Sequence, residues 1–215
     1  MKSISLLTRR DDLSPSAFKR YYEDIHCWLG MQHFPFVRYT RNHVASESAA
    51  LDFDCLSEFG MDLRFQGGDM MRSRSRALMV DDELKFMNPE RIRVATVREQ
   101  TLLGIADDVM GCPRYLLLFQ RADADLEGYQ TALEQAVKEW LARLSGVRHA
   151  SLDLRVANAG SEFPYDALLW LTMGDENTAA LPQQDELPGL LAVTAVTTHA
   201  TPEATLRENF EAYLS

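Results

Sequence analysis

One order of secondary-structure elements runs twice along this chain of 215 residues, and a chain written as two copies of one pattern has few ways to fold. A strand over residues 3–9 precedes Ser14-Pro15, a helix-capping residue followed by proline at the first helical position. Phe18, Tyr21, Tyr22, Ile25 and Leu29 then recur at helical spacing, and Gly30 offers a stop. Residues 34–44 and 51–61 read as a hairpin, and a helix is expected within 63–78. Asp81-Asp82-Glu83 marks a turn, and 92–103 is a last strand. The second half gives the same order. A strand at 115–120 leads to a helix opened by Asp125, with Tyr129, Leu133, Val137, Trp140 and Leu144 on one face. Strands follow at 147–156 and 165–173, then a weak helix at 176–183 and a strand at 190–198. Thr201-Pro202 opens one extra helix, with Leu206, Phe210, Tyr213 and Leu214 on its apolar side.

The halves superpose at an offset of about 111 residues, so that Phe18 matches Tyr129, Tyr22 matches Leu133 and Val37 sits near Val147. Each half is an α+β unit of the ferredoxin-like βαββαβ type, with helices on one face of its sheet. The other face would be a large apolar patch in water. The economical arrangement packs the two sheets face to face, so that one chain imitates a dimeric α+β barrel. Residues 1–108 and 109–215 form the expected repeats, divided near 106–111.

The net charge of −10 argues against a nucleic-acid partner, because phosphate binding needs clustered cations. The one basic run, Arg72-Ser73-Arg74-Ser75-Arg76, reads as a solvated helix end. No apolar run approaches the roughly 18 residues that span a bilayer, and the start of the chain lacks the apolar core of a signal peptide. A cytoplasmic protein without a membrane partner is expected. Cys27, Cys55 and Cys112 have no metal-binding or disulfide spacing. His26, His33 and His43 are irregularly spaced, so no metal and no cofactor is expected.

The candidate chemistry lies in the first half. His26 sits at the edge of the first helix's apolar face, and imidazole exchanges protons near neutral pH. Tyr39, Arg41 and His43 share one strand face by the period-two rule, as do Asp54 and Glu58 on the next strand. Whether the two faces coincide depends on a hairpin register that sequence leaves open. His26, Tyr39 and Glu58 are the catalytic candidates; Tyr22, Arg41, His43 and Asp54 are the substrate-contacting ones. The second half is an internal control. Val137 stands where the first half has His26, His149 lies near the place of Tyr39, and Trp170 aligns with Glu58.

These residues carry a family resemblance. Ser14-Pro15 with Phe18, Tyr22 and His26, the strand Arg38-Tyr39-Thr40-Arg41-Asn42-His43-Val44, and Phe53-Asp54-Cys55-Leu56-Ser57-Glu58-Phe59 resemble the EthD family of the dimeric α+β barrel superfamily. Asp81-Asp82-Glu83, Phe86-Met87 and Glu99 continue the pattern over residues 3–100; the second half resembles the superfamily fold only. The resemblance implies a small, partly apolar cyclic or aromatic ligand. It is compatible with cofactor-free proton-transfer chemistry or with a non-catalytic accessory role beside an oxygenase. A homodimer is one open possibility.

Overall fold

A computed structural model describes residues 2–45, 51–62, 64–65, 69–105, 111–122, 124–157, 162–174 and 181–215. The chain is a mixed α/β protein. Its strands are β1 (Lys2–Leu7), β2 (Phe36–Val44), β3 (Cys55–Met61), β4 (Arg93–Leu103), β5 (Arg114–Phe119), β6 (Val147–Arg155), β7 (Ala167–Met173) and β8 (Leu190–Thr201). The hydrogen-bonded order is β1-β3-β2-β8-β5-β7-β6-β4, and the ladder closes. The expected boundary at 106–110 and most of the weak helix at 176–183 lie outside the described residues.

Contacts divide the chain into two compact units, one of Ser3–Val94 with Thr198–Ser215, the other of Ala95–Thr197 with the first two residues. In the first unit Ser14 caps α1 (Pro15–Tyr21), its hydroxyl accepting from Ala17 N–H. The helix does not stop at Gly30. It passes through a π turn (Tyr22–His26) into α2 (Cys27–His33), and Gly30, buried within α2, does not take the left-handed conformation of a helix stop. Asp81-Asp82-Glu83 is not a turn either: it is the last turn of α3 (Arg74–Glu83), which Ser73 caps. The basic run is partly drawn into structure there, Arg76 Nη1 lying 2.6 Å from Glu83 Oε1. Phe18, Tyr22, Cys27, Met31, Tyr39, Cys55, Phe86, Met87 and Leu206 form this unit's buried core. The extra helix α5 (Glu203–Asn209) contributes that Leu206.

In the second unit Asp125 caps α4 (Leu126–Leu141), accepting from Gly128 N–H. Leu133, Val137 and Trp140 pack with Leu117, Phe119, Leu152, Leu154, Leu169 and Leu171. β7 is buried at every position. Gly146, at φ +82°, supplies the left-handed residue between α4 and β6.

The two units carry one local device at matching positions. Asp54 accepts from Arg9 N–H at 2.8 Å and pairs with Arg9 Nη1; Asp166 accepts from Arg121 N–H at 2.9 Å and pairs with Arg121 Nη1. The backbone repeats it: Asp54 N–H donates to Leu7 O, and Asp166 N–H to Phe119 O, both at 2.8 Å. Register agrees as well, Leu7 facing Cys55 across β1–β3 and Phe119 facing Ala167 across β5–β7.

Candidate functional site

The β2–β3 register puts Tyr39 opposite Phe59, Arg41 opposite Ser57 and His43 opposite Cys55. Asn42 and Thr40 lie opposite Leu56 and Glu58. Tyr39, Arg41 and His43 therefore point to the α1–α2 side, and Glu58 to the other. Tyr22 marks the helix side by its 2.7 Å hydrogen bond to Ser57 Oγ. On the opposite face Glu58 accepts from Asn42 Nδ2 at 2.9 Å, while Thr198 donates to Asn42 Oδ1 at 2.8 Å. The corresponding pair in the other unit is Trp170 Nε1–H donating to Asp153 Oδ2 at 2.8 Å. A buried polar cross-strand pair thus occurs at the Glu58 position and at its counterpart alike.

The helix side holds three groups. The first is His26, whose Nδ1 lies 2.9 Å from Asp82 Oδ2, with both side chains about 5% exposed. Tyr21 Oη donates to the other Asp82 oxygen at 2.8 Å and Lys85 Nζ lies 3.1 Å away. The His26 hydrogen bond, with those from Tyr21 and Lys85, outweighs burial and holds the Asp82 carboxyl well below the usual carboxylate range. An ionised Asp82 accepts from Nδ1–H, so the basic nitrogen of neutral His26 is Nε2. Phe86 backs the ring at a centroid distance of 4.8 Å and Tyr22 at 5.2 Å.

The second is a chain of buried hydroxyls. Tyr39 Oη donates to Tyr22 Oη at 3.2 Å, and Tyr22 meets Ser57. Burial raises both phenols well above their ordinary range, so they serve as neutral hydrogen-bonding groups rather than as bases. Arg41 lies over the Tyr39 ring at 4.6 Å.

The third gathers around Glu23. Arg41 Nε and Nη2 reach its carboxylate at 3.0 and 2.9 Å, and His43 Nε2 lies 2.7 Å from Oε1. His199 Nδ1 stands 3.6 Å from Oε2, and Arg41 Nη1 donates to Thr201 Oγ1 at 2.8 Å. Burial raises the Glu23 pKa, but the hydrogen bonds from His43 and Arg41 overcome it and keep the group anionic.

The structure thus brings His26, Tyr22 and Tyr39 to one side of the sheet, with Arg41 and His43 beside them. Glu58 lies on the other face, and Asp54 is engaged by Arg9. Three participants escaped sequence reasoning. Asp82 was hidden by its resemblance to a turn. Glu23 sits among the helix's polar positions. His199 comes from the far end of the chain, where no local spacing could connect it to Glu23. The π turn carrying Tyr22, Glu23 and His26 has no signal in its residues. Such turns are frequent at functional sites.

Among the described residues, cavities lie away from His26. One of about 220 Å³ is lined by Phe36, Val37, Leu206 and Phe210 with Asp62 and Arg207 at its polar edge. Another, of about 350 Å³, is polar and lined by Arg121, Arg155 and Asp166 among others. Among the described residues no helix is long and apolar enough to cross a membrane.

No protein-family model matches the sequence, and no curated protein matches it. Solved structures do. A proposed monooxygenase from Lactobacillus acidophilus is 12% identical, with 94% of this chain and 95% of that one aligned at a TM-score of 0.50. An anthrone oxidase-like protein is 11% identical, with 93% and 92% aligned at a TM-score of 0.52. At such identities the likeness concerns the fold alone.

Proposed function

We propose that this chain is an EthD-like protein that acts on a small, partly apolar cyclic or aromatic compound by proton transfer. The reaction class is isomerisation, dehydration or decarboxylation, with His26 as the acid–base group. The observation that carries the reading is the 2.9 Å contact from His26 Nδ1 to Asp82, which fixes the ring and its tautomer inside a nearly closed aromatic shell. An oriented imidazole of this kind contributes typically 10²–10⁴-fold, on the order of 3–5 kcal/mol of barrier. Asp82 is a positioning residue, and the neutral hydroxyl chain of Tyr39, Tyr22 and Ser57 packs on the same side of the sheet.

The reading includes duplication, with residues 1–108 and 109–215 as the two ferredoxin-like copies. It is supported by the matching aspartate–arginine latches. It is also supported by the strand order, which runs β4-β1-β3-β2 and then β8-β5-β7-β6 around the closed ladder. A cytoplasmic location and a homodimer of such chains belong to the same reading.

The test is turnover of a panel of lactones, polyketide-like phenols and aromatic acids, followed by NMR, for wild type and His26→Ala. Loss of at least about 10²-fold in kcat with folding intact supports it. A second reading, a non-catalytic carrier or oxygenase accessory, draws on the apolar 220 Å³ cavity, which does not include His26. No turnover by wild type, together with ligand affinity unchanged in His26→Ala, would establish that reading instead.

A further inference from the structure

We infer that Glu23, His43 and His199 form a binding site for a divalent first-row transition-metal ion such as Zn²⁺. Glu23 comes from the π turn, His43 from β2 and His199 from β8, and one ligand atom from each lies within 4.8 Å of the others. Two imidazoles and a carboxylate are a donor set that holds such ions while leaving coordination positions open. Around a metal at about 2.1 Å, neighbouring donors stand roughly 3.0–3.4 Å apart. His199 Nδ1 is already 3.6 Å from Glu23 Oε2, too far to hydrogen-bond well and close to a ligand spacing. His43 Nε2, at 2.7 Å from Oε1, needs to open by only about half an ångström on the same geometry.

Two further features suit the assignment. His43 Nδ1 and His199 Nε2 are buried with no hydrogen-bond partner among the described residues, so no second bond fixes either tautomer. Each ring can present its lone pair to the shared space beside Glu23. Arg41 meanwhile grips the carboxylate through Nε and Nη2, and outer-shell bonds of that kind orient a ligating carboxylate. Its positive charge opposes a cation, which sets the affinity below that of a closed structural zinc site. The competing description is a metal-free ion-pair cluster. It accounts for Arg41 and His43 on Glu23 and treats the 3.6 Å approach of His199 as a long ion pair, whereas a metal would use one donor atom from each of the three.

Untagged, chelator-stripped protein is titrated with Zn²⁺ by calorimetry and with Co²⁺ by visible absorption. The expected result is one ion per chain and a Co²⁺ ligand-field band. Both should weaken about tenfold or more in His199→Ala, as for loss of a ligand contact. His33→Ala, outside the cluster, should leave them unchanged, and Glu23→Gln should match His199→Ala provided circular dichroism shows it folded. His199 is the least buried member, so its removal tests the site even if Glu23→Gln unfolds. The inference is overturned by absence of Zn²⁺ binding at micromolar concentration. It is equally overturned by affinity and spectrum unchanged in His199→Ala, which would leave the metal-free cluster.

Discussion

His26 Nδ1 and Asp82 Oδ2 are 2.9 Å apart, each on a side chain about 5% exposed, joining the π turn to the last turn of α3. The contact does two things. It satisfies two buried polar groups that would otherwise be costly, and it fixes which imidazole nitrogen is basic. Replacing Asp82 by Asn removes the anion while keeping the shape. On the proposed function, Asp82→Asn lowers kcat about 10-fold or more with KM little changed, because an amide no longer fixes the ring tautomer that the carboxylate selects. An unaltered kcat in a folded Asp82→Asn variant would refute the positioning role.

Acid stability follows from the same pair. The folded Asp82 pKa is depressed below its ordinary value of 3.8, so its contribution is fully present above about pH 4 and is lost as pH falls further. Urea midpoints of the wild type should therefore drop between pH 5 and 3 more steeply than those of Asp82→Asn. Parallel curves for the two proteins would contradict this.

Phe86 should be the most sensitive core position near the site. Its ring lies 5.5 Å from Phe18, 4.9 Å from Tyr21, 5.6 Å from Tyr22 and 4.8 Å from His26, and it is fully buried. Phe86→Ala is expected to destabilise by about 3–5 kcal/mol, since the cavity cannot close around so many rings. Phe86→Leu should recover most of that loss. Denaturant titration of both variants checks it, and a loss below about 1 kcal/mol for the alanine would be inconsistent with the packing.

The thiols should separate cleanly. Burial pushes the Cys27 thiol up to about 11 and the Cys55 thiol up to about 12, while Cys112 is half-exposed. Thiolate is the reactive form, so at pH 8 a disulfide reagent should titrate one thiol per native chain and three per unfolded chain. Mass spectrometry should place the native label on Cys112. Fast labelling of Cys27 would show that the helix side opens readily.

The paired latches predict unequal losses. Asp166 is held by Arg121 and by Arg155 at 2.6 Å, whereas Asp54 is held by Arg9. Asp166→Ala is expected to destabilise by about 1–3 kcal/mol and Asp54→Ala by less, because two guanidinium groups lose a partner in the first case. Urea unfolding of the two variants measures the order.

The sequence by itself determined most of the order of strands and helices and the caps at Ser14 and Asp125. Each of these rests on local physics: a hydroxyl or carboxylate reaching a nearby N–H, or an apolar side chain recurring at the period of a helix or strand. Sequence also grouped Tyr39, Arg41 and His43, because a strand alternates its faces. Tertiary structure alone decided the β2–β3 register, which turned Glu58 away from His26, since moving a strand by one residue reverses every side chain. It alone recruited Asp82 to His26 and His199 to Glu23. Those meetings join residues distant along the chain, and chain closure over such spans is decided by packing of the whole sheet rather than by any local preference. The π turn belongs with them. Its residues read as ordinary helix, and the widened turn shows only in the backbone of the folded chain.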